Sequence, residues 1–306
     1  MEFLPESCIY DSTENQRYIS SSEGLSEAME KGIILEAYAV RCTSSHDLII
    51  ELPCAKGIIP RNEGAIGISE GKTKDIAVIS RVNKIVCFIV TSLKLTDEGE
   101  MIALLSRKKA QIKCANDYVA NMRTGDIICT KVTHLEKFGC FVDIGCGIPS
   151  LIPIDSMSVS RISHPSDRFY IGQIIKSVVK AKEDNRVYLT HKELLGTWSE
   201  NASCFMVGET VPGIVRSIED YGIFVELTPN LAGLAEIRNG VQPGQSVSVY
   251  IKAIIPEKMK VKLVIVDVCG CSSPPRENKY FINNSHISKW IYSTPESVKE
   301  ISTFFI

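Results

Sequence analysis

The chain has no excess of charge of either sign: 34 basic and 36 acidic residues leave a formal net charge of −2 over 306 residues. That excludes a histone-like or polybasic binder, which depends on a global positive field. Long hydrophobic runs are missing too. Stretches such as Ile85 to Val90 fall far below the ~20 residues needed to span a bilayer, so no membrane partner is expected. The start, MEFLPESCIY, has neither the basic region nor the apolar core of a secretory signal. The cysteines number 11 and are scattered over the whole length, unlike the dense, even set of a secreted disulfide framework. Cys87, Cys129 and Cys140 sit inside apolar, strand-like runs and read as small buried hydrophobes of a reducing compartment. The one tight pair, Cys269-Gly-Cys271, has no second pair to complete the four ligands of a structural zinc. No metal is expected there.

Signatures of catalysis are also lacking. His46, His134, His164, His191 and His286 form no HExxH motif or spaced metal pair. There is no GxSxG elbow. Gly67-Ile-Ser-Glu-Gly-Lys-Thr73 resembles a phosphate loop but is one residue short between its glycines and lies in a strand-rich segment. Gly145 and Gly147 mark a turn between two strands, not a dinucleotide loop. Asp143 and Glu226 are repeat equivalents, not the converging pair a metal-assisted nuclease needs. No catalytic residue, cofactor or small-molecule substrate is expected.

What the chain does have is a repeat. Gly125 to Ile144, GDIICTKVTHLEKFGCFVDI, matches Gly208 to Leu227, GETVPGIVRSIEDYGIFVEL, at an interval of 83 residues. Phe138 pairs with Tyr221, Gly139 with Gly222, Phe141 with Phe224 and Glu136 with Glu219. Each copy continues through a short apolar strand, SLIPI or GLAEI, to a Gly-Gln pair, Gly172-Gln173 or Gly244-Gln245. A β-branched run and a last strand follow, RVYLT from Arg186 and KVKLVIV from Lys260. The interval at the Gly-Gln pair is 72, which leaves an 11-residue insertion around SVSRISHPSDRF, read as a loop or short helix. Within RVYLT, Val187 and Leu189 alternate with Arg186, Tyr188 and Thr190, the period of a half-buried strand. Five short strands with Gly and Pro at the turns suit a small closed barrel, which removes exposed edges. A weaker copy precedes these, with LIIEL from Leu48, KGIIP from Lys56, then DIAVISRV and IVCFIV as its last two strands. It has His46 and Ile49 where Phe138 and Phe141 stand later.

The expected fold is therefore mostly β: three tandem five-stranded barrels joined by a helical linker, with a small α-containing C-terminal tail. The divisions are an acidic arm over 1–31, a divergent barrel over 32–95, a linker over 96–122, barrels over 123–198 and 206–268, and a tail over 269–306. The arm holds seven acids against two bases and reads as a solvated segment or a cover for a basic partner. Met101, Leu105, Ile112, Ala115, Val119 and Met122 recur at helical steps. In the tail, Thr294-Pro295-Glu296 carries helix-start signals. Trp290, Tyr292, Phe304 and Phe305 make the tail too apolar to be free.

Phe141 and Asp143 alternate with Cys140, Val142 and Ile144, so the phenylalanine points out of the barrel. Stacking on an unpaired base is one use for such a ring, worth roughly 1–3 kcal/mol per base. Covering the barrel end, or docking a neighbouring barrel or the tail, is the other. Lys131, His134, Lys137, Lys176 and Arg186 lie near it, and the lysines and arginine suit phosphates. Tyr250 could extend the third barrel's face, or be an ordinary half-buried strand tyrosine. Residues 122–197 carry a net +2 and 205–268 a net −1, which favours the second barrel.

KFGCFVDIG with SLIPI and DNRVYLTHK, and YGIFVEL with GLAEI, resemble the S1 domain, the RNA-binding OB-fold repeat of bacterial ribosomal protein S1 and many RNA enzymes. LSRKKAQ and KELLGTW resemble the linkers between such repeats. The resemblance covers 123–198 and 207–266, is weak in the first copy and absent at the ends. It implies a non-catalytic, cytoplasmic protein that binds single-stranded RNA, mRNA in translation, with the small ribosomal subunit as partner. The RNA-binding residues it implies are the aromatics Phe138 and Phe141, then Tyr221 and Phe224, with the last-strand bases Arg186 and Lys260. Lys131, His134 and Lys137 complete the expected set. The family's histidine is replaced by Pro153 and Glu236. The alternative is a protein-interaction scaffold that reuses the barrels without binding RNA.

Overall fold

The structure, a computed structural model, describes residues 3–183, 186–269 and 278–305. Cys271 of the cysteine pair, and the polar segment Ser272–Lys279 apart from Asn278 and Lys279, lie outside the described residues. The chain divides into two compact units, Met1–Met122 with Asp143–Pro149, and Arg123–Val142 with Ser150–Ile306. Among the described residues, no helix is long and apolar enough to cross a membrane.

Three closed five-stranded barrels are present. The first comprises β1 (Leu35–Cys42), β2 (Leu48–Leu52), β3 (Ala55–Ile59), β4 (Lys84–Leu95) and β5 (Met101–Ser106). The second comprises β6 (Ile127–Glu136), β7 (Gly139–Asp143), β8 (Pro149–Pro153), β9 (Ile174–Glu183) and β10 (Arg186–Thr190). The third comprises β11 (Thr210–Glu219), β12 (Gly222–Thr228), β13 (Leu231–Ala235), β14 (Ser246–Ile255) and β15 (Lys260–Cys269). In each, the third strand runs parallel to the fifth, so the meander closes on itself and leaves no free edge.

The first unit departs from the sequence reading in two places. Its acidic N-terminal segment is not a solvated arm. It forms α1 (Thr13–Ile19) and α2 (Ser22–Lys31), capped by the Ser12 and Ser21 side chains and ended by Gly32 in the left-handed conformation. Tyr18, Ile19, Leu25 and Ala28 join the barrel core with Leu35, Ile50, Phe88 and Leu105. Charge counting missed this because the acids of the two helices sit on their outer faces, as in the Glu27 pairs with Arg17 and Lys31. The second difference lies at 101–122. Met101–Ser106 is the closing strand, and only Arg107–Asp117 is helical, as α4, since Ile76–Ile79 takes α3. Met101 and Leu105 fit a step of four and a step of two equally well. Pairing of Ala103 with Gly57 and of Leu104 with Ile58 decides for the strand. The segment DIAVISRV is accordingly a helical turn and loop, not a strand.

Glu6 enters this unit as a buried anion. Its carboxylate accepts from Arg107 Nε at 2.7 Å and Nη2 at 3.1 Å, and from Arg81 at 3.3 Å. Burial opposes its ionisation, but the guanidiniums prevail and hold its pKa below the ordinary value. Glu36 has no such partner. It accepts the backbone N–H groups of Ser7 and Ile9 at 2.9 and 3.1 Å, and burial pushes its pKa up to about 7.

The second unit holds two barrels, and the insertion Ile154–Gly172 ties them together. Ser160 N–H donates to Pro229 O and Val159 N–H to Asn230 Oδ1, both at 3.0 Å. Arg168 reaches Glu226 of β12 with two bonds of 3.0 and 2.5 Å, and Arg216 holds the same carboxylate at 2.8 and 3.1 Å. Burial raises the Glu226 pKa, but Arg168 and Arg216 together hold it below the ordinary carboxylate value. After β10, α5 (Trp198–Ala202) starts at a Thr197–Glu200 capping box, and Trp198 enters the third barrel's core.

The tail is a strap. β16 (Lys289–Ile291) and β17 (Ser302–Phe304) form a hairpin. The helix expected at Thr294-Pro295-Glu296 is a single turn, with Thr294 Oγ1 donating to Pro256 O at 2.8 Å. Trp290 and Tyr292 pack into the third barrel's core, while Ile287 and Phe305 pack with Val178 and Leu194 of the second. Ile287 N–H donates to Gly125 O at 2.9 Å, and a Cβ at Gly125 would lie 2.1 Å from Ile287 O. Only glycine admits the strap there.

Two stability outcomes follow. Glu36 has a folded pKa raised above its ordinary 4.5 to about 7. Its stabilising contribution is complete below the unfolded pKa and disappears as pH rises through the folded one. Through this group the first unit should therefore lose on the order of 2 kcal/mol between pH 5 and pH 8. Glu36→Gln should remove that part of the slope, leaving the part due to Asp143, whose pKa burial raises to about 6. Urea unfolding by circular dichroism checks it, with Trp fluorescence reporting the second unit alone, since Trp198 and Trp290 both lie there. Arg168→Ala leaves Glu226 short of one guanidinium and should cost the second unit ~3 kcal/mol, read as a lower midpoint of Trp fluorescence.

Candidate nucleic-acid interface

The candidate interface begins at a glycine. A Cβ at Gly139 would lie 2.6 Å from Ile152 O, and one at Gly222 would lie 2.7 Å from Ala235 O. Real side chains do not fit at that distance, so glycine lets the second strand press onto the third. Phe138 O accepts from Ile154 N–H at 3.0 Å, which pins the turn before β7. The residue before the glycine then leaves from the turn and the one two places after it from the strand. Phe138 is 57% exposed and Phe141 half-buried. Their ring centroids stand 5.9 Å apart at 90°. Tyr221 is 69% exposed and Phe224 half-buried, with centroids 6.2 Å apart, also at 90°. Edge-to-face pairs prefer this separation.

The candidate charged residues of the second barrel, which carries Phe138 and Phe141, stand on several of its strands and one turn. Lys137 is exposed in the β6–β7 turn, and Arg186 is exposed at the start of β10. His134 Nε2 lies 2.8 Å from Glu136 Oε1 on the same strand, so an acid accompanies it. Lys131 stands on β6 opposite Ile174 of β9. The Lys176 ammonium lies 5.6 Å from the centre of the Tyr280 ring, drawn toward the tail. In the third barrel, Lys260 is exposed at the start of β15, opposite Ile255. Glu236, in the place of the family's histidine, is exposed and 3.5 Å from Lys252 Nζ. Pro153, its counterpart, is half-buried. Tyr250 stands on β14 opposite Thr210 and Val264, away from the Phe224 strand.

Asp143 and Glu226 share the outward parity of the rings, yet both are buried. Asp143 accepts N–H groups of Glu6, Gly145 and Gly147 at 2.7, 2.8 and 3.0 Å. Neither carboxylate is open to a ligand. The structure also adds a residue that pattern reading noted only for its parity. Tyr188 is half-exposed on β10 and pairs in register with Leu151 of β8. Strand alternation was the signal for it. Arg168 and its bond to Glu226 had no sequence signal, because the contact joins residues 58 apart.

Among the described residues no His, Cys, Asp and Glu cluster could hold a metal ion, and the ten described cysteines are free thiols. His191 is fully buried against Phe169 and Tyr280, and burial depresses its pKa to about 4. It is a neutral core residue.

Comparison with known proteins bears on part of the chain. The profile of the S1 RNA binding domain family matches residues 121–192. Small ribosomal subunit protein bS1 of Rhizobium meliloti (strain 1021) is 32% identical over 163 residues, which is 48% of this chain and 28% of that protein. Small ribosomal subunit protein bS1 of Staphylococcus aureus (strain COL) is 31% identical over 191 residues, 58% of this chain and 46% of that protein. The chain thus spans less than half the length of these relatives. A crystal structure of a multidomain protein with nucleic acid binding domains from Streptococcus pneumoniae covers 76% of this chain and 72% of its own at 12% identity. Its TM-score of 0.26 is too low to bear on the fold. Residues 121–192 are thus matched as an S1 RNA-binding domain, and the chain, with its three closed five-stranded barrels, is similar over about half its length to small ribosomal subunit protein bS1.

Proposed function

We propose that the chain is a non-catalytic protein that binds single-stranded RNA on the outer faces of its second and third barrels. In this reading mRNA is the ligand, the small ribosomal subunit a partner and the cytoplasm the location. The observation that carries it is the orthogonal ring pair built twice around a glycine, with an exposed ring each time. Exposed aromatics lose apolar stabilisation unless something covers them, and every nucleobase offers a π-face. A duplex keeps its bases stacked on each other, so such a face selects unpaired strands. Lys137 and Arg186 lie where a backbone would pass, which makes the affinity fall with salt. The second barrel is the stronger site, because the third has the acids Asp220 and Glu236 where the second has Lys137 and Pro153.

A scaffold reading has one observation in its favour. The first barrel presents Ile49, Ile58 and Leu104, all half-buried, on its outer face. A pull-down from ribonuclease-treated lysate separates the two: the same partners kept without RNA favour the scaffold.

The direct test is fluorescence anisotropy with single-stranded and duplex RNA over a salt series. Phe138→Ala with Phe141→Ala should weaken single-strand binding by about 5- to 150-fold for each base that loses its stack, with the unfolding midpoint kept. Unchanged affinity in a folded variant would overturn the site.

A further inference from the structure

The same row of outer-face positions crosses all three barrels. In the third, Phe224 pairs with Leu234, and Leu234 with Lys262. In the first, Ile49 pairs with Ile58, and Ile58 with Leu104. In the second, β7 lies beside β8, and Leu151 of β8 pairs with Tyr188 of β10. A Cβ at Gly139 would meet Ile152 O and Leu151 Cδ1, just as one at Gly222 would meet Ala235 O and Leu234 Cδ1. Phe141 therefore stands opposite Leu151 as Phe224 stands opposite Leu234. The row reads Phe–Leu–Lys in the third barrel, Ile–Ile–Leu in the first and Phe–Leu–Tyr in the second.

We propose that Tyr188 is a third stacking position on the second barrel, holding an unpaired RNA base beyond those at Phe138 and Phe141. The proposal rests on the RNA-binding reading above. Val187 and Leu189 are buried on either side of Tyr188, so its ring is directed outward, and it is half-exposed. Among the described residues no side-chain partner holds its hydroxyl, so no internal hydrogen bond accounts for a tyrosine there. Its register partner on β9 is Ala181, which offers only a methyl group against the ring. Two strand spacings, about 10 Å, separate its strand from that of Phe141, with Leu151 between them. The two rings thus serve different bases. Arg186 lies two residues earlier on the same face and is exposed, in reach of the phosphate linking them. The phenol can add a hydrogen bond to a base edge or a 2′-hydroxyl. In the third barrel, Lys262 offers a phosphate contact at the same place, so the two barrels differ in how many bases they stack.

The test is anisotropy of the full chain with a twelve-nucleotide single-stranded RNA, comparing Tyr188→Ala, Tyr188→Leu, Tyr188→Phe and Phe141→Ala. Tyr188→Ala should weaken binding by about 5- to 150-fold, Tyr188→Phe should keep most of the affinity, and neither should alter the salt slope. Tyr188→Leu places the first barrel's residue at this position. It keeps apolar cover if the alanine variant unfolds, and it should show the same loss. Wild-type affinity for folded Tyr188→Leu, with Phe141→Ala weakened, overturns the third position and leaves the two-ring site intact. Wild-type affinity for Tyr188→Leu and Phe141→Ala alike would overturn the whole ring face as the RNA site, and no binding by the wild-type chain would overturn the RNA-binding reading itself.

Discussion

The ring pairs stand at the surface because the strand that carries them crosses its neighbour with no room for a side chain. Gly139 and Gly222 occupy those crossings, each within 2.7 Å or less of a carbonyl if given a Cβ. The close approach brings the second strand onto the third and fixes where the flanking aromatics leave the barrel. The first barrel shows what happens without the glycine. There Asp47 stands in the equivalent place, and the turn is held by side chains instead. Asp47 N–H donates to Thr43 Oγ1 at 3.1 Å, and Asp47 Oδ1 accepts from Arg61 N–H at 2.8 Å. His46 takes a φ of 65° in that turn, and the aliphatic Ile49 follows where a ring stands in the other copies.

Buried carboxylates do the joining. Asp143 and Glu226 hold the same position in their repeats, two residues after a ring and with its parity. In one copy the acid receives three backbone N–H groups, in the other two guanidiniums. A buried charge is tolerated only when fully partnered, so each acid demands a specific segment over it. Glu226 draws the second barrel's insertion onto the third barrel, and the tail then packs its aromatics against both. The second unit is in this way a coupled pair of barrels rather than two beads on a linker.

Much of the site was legible in the sequence because it depends on local spacing. An aromatic, a glycine and a second aromatic three residues on encode turn, crossing and strand within one hairpin. The fifth strand of the first barrel was not legible, since Met101 and Leu105 satisfy a helix and a strand alike. Only the parallel partner β3 separates the two. The acidic N-terminal segment misled for a similar reason. Its charge was visible, but the buried apolar side of its helices consists of few residues, Tyr18, Ile19, Leu25 and Ala28, spaced too thinly to announce a core.

Sequence alone settled the number of barrels, the order of the strands in the second and third, and which face carries the rings, because each of these follows from period-two alternation and glycine placement within a repeat. Tertiary structure decided what lies over that face. Asp143, Glu226, Lys176 and Tyr188 all have outward or surface parity, and only packing distinguishes them. Two of them are capped by distant donors, one is drawn to the tail, and one is left half-open. Contacts between residues 58 or more apart made that difference, and no local pattern encodes a partner at that separation.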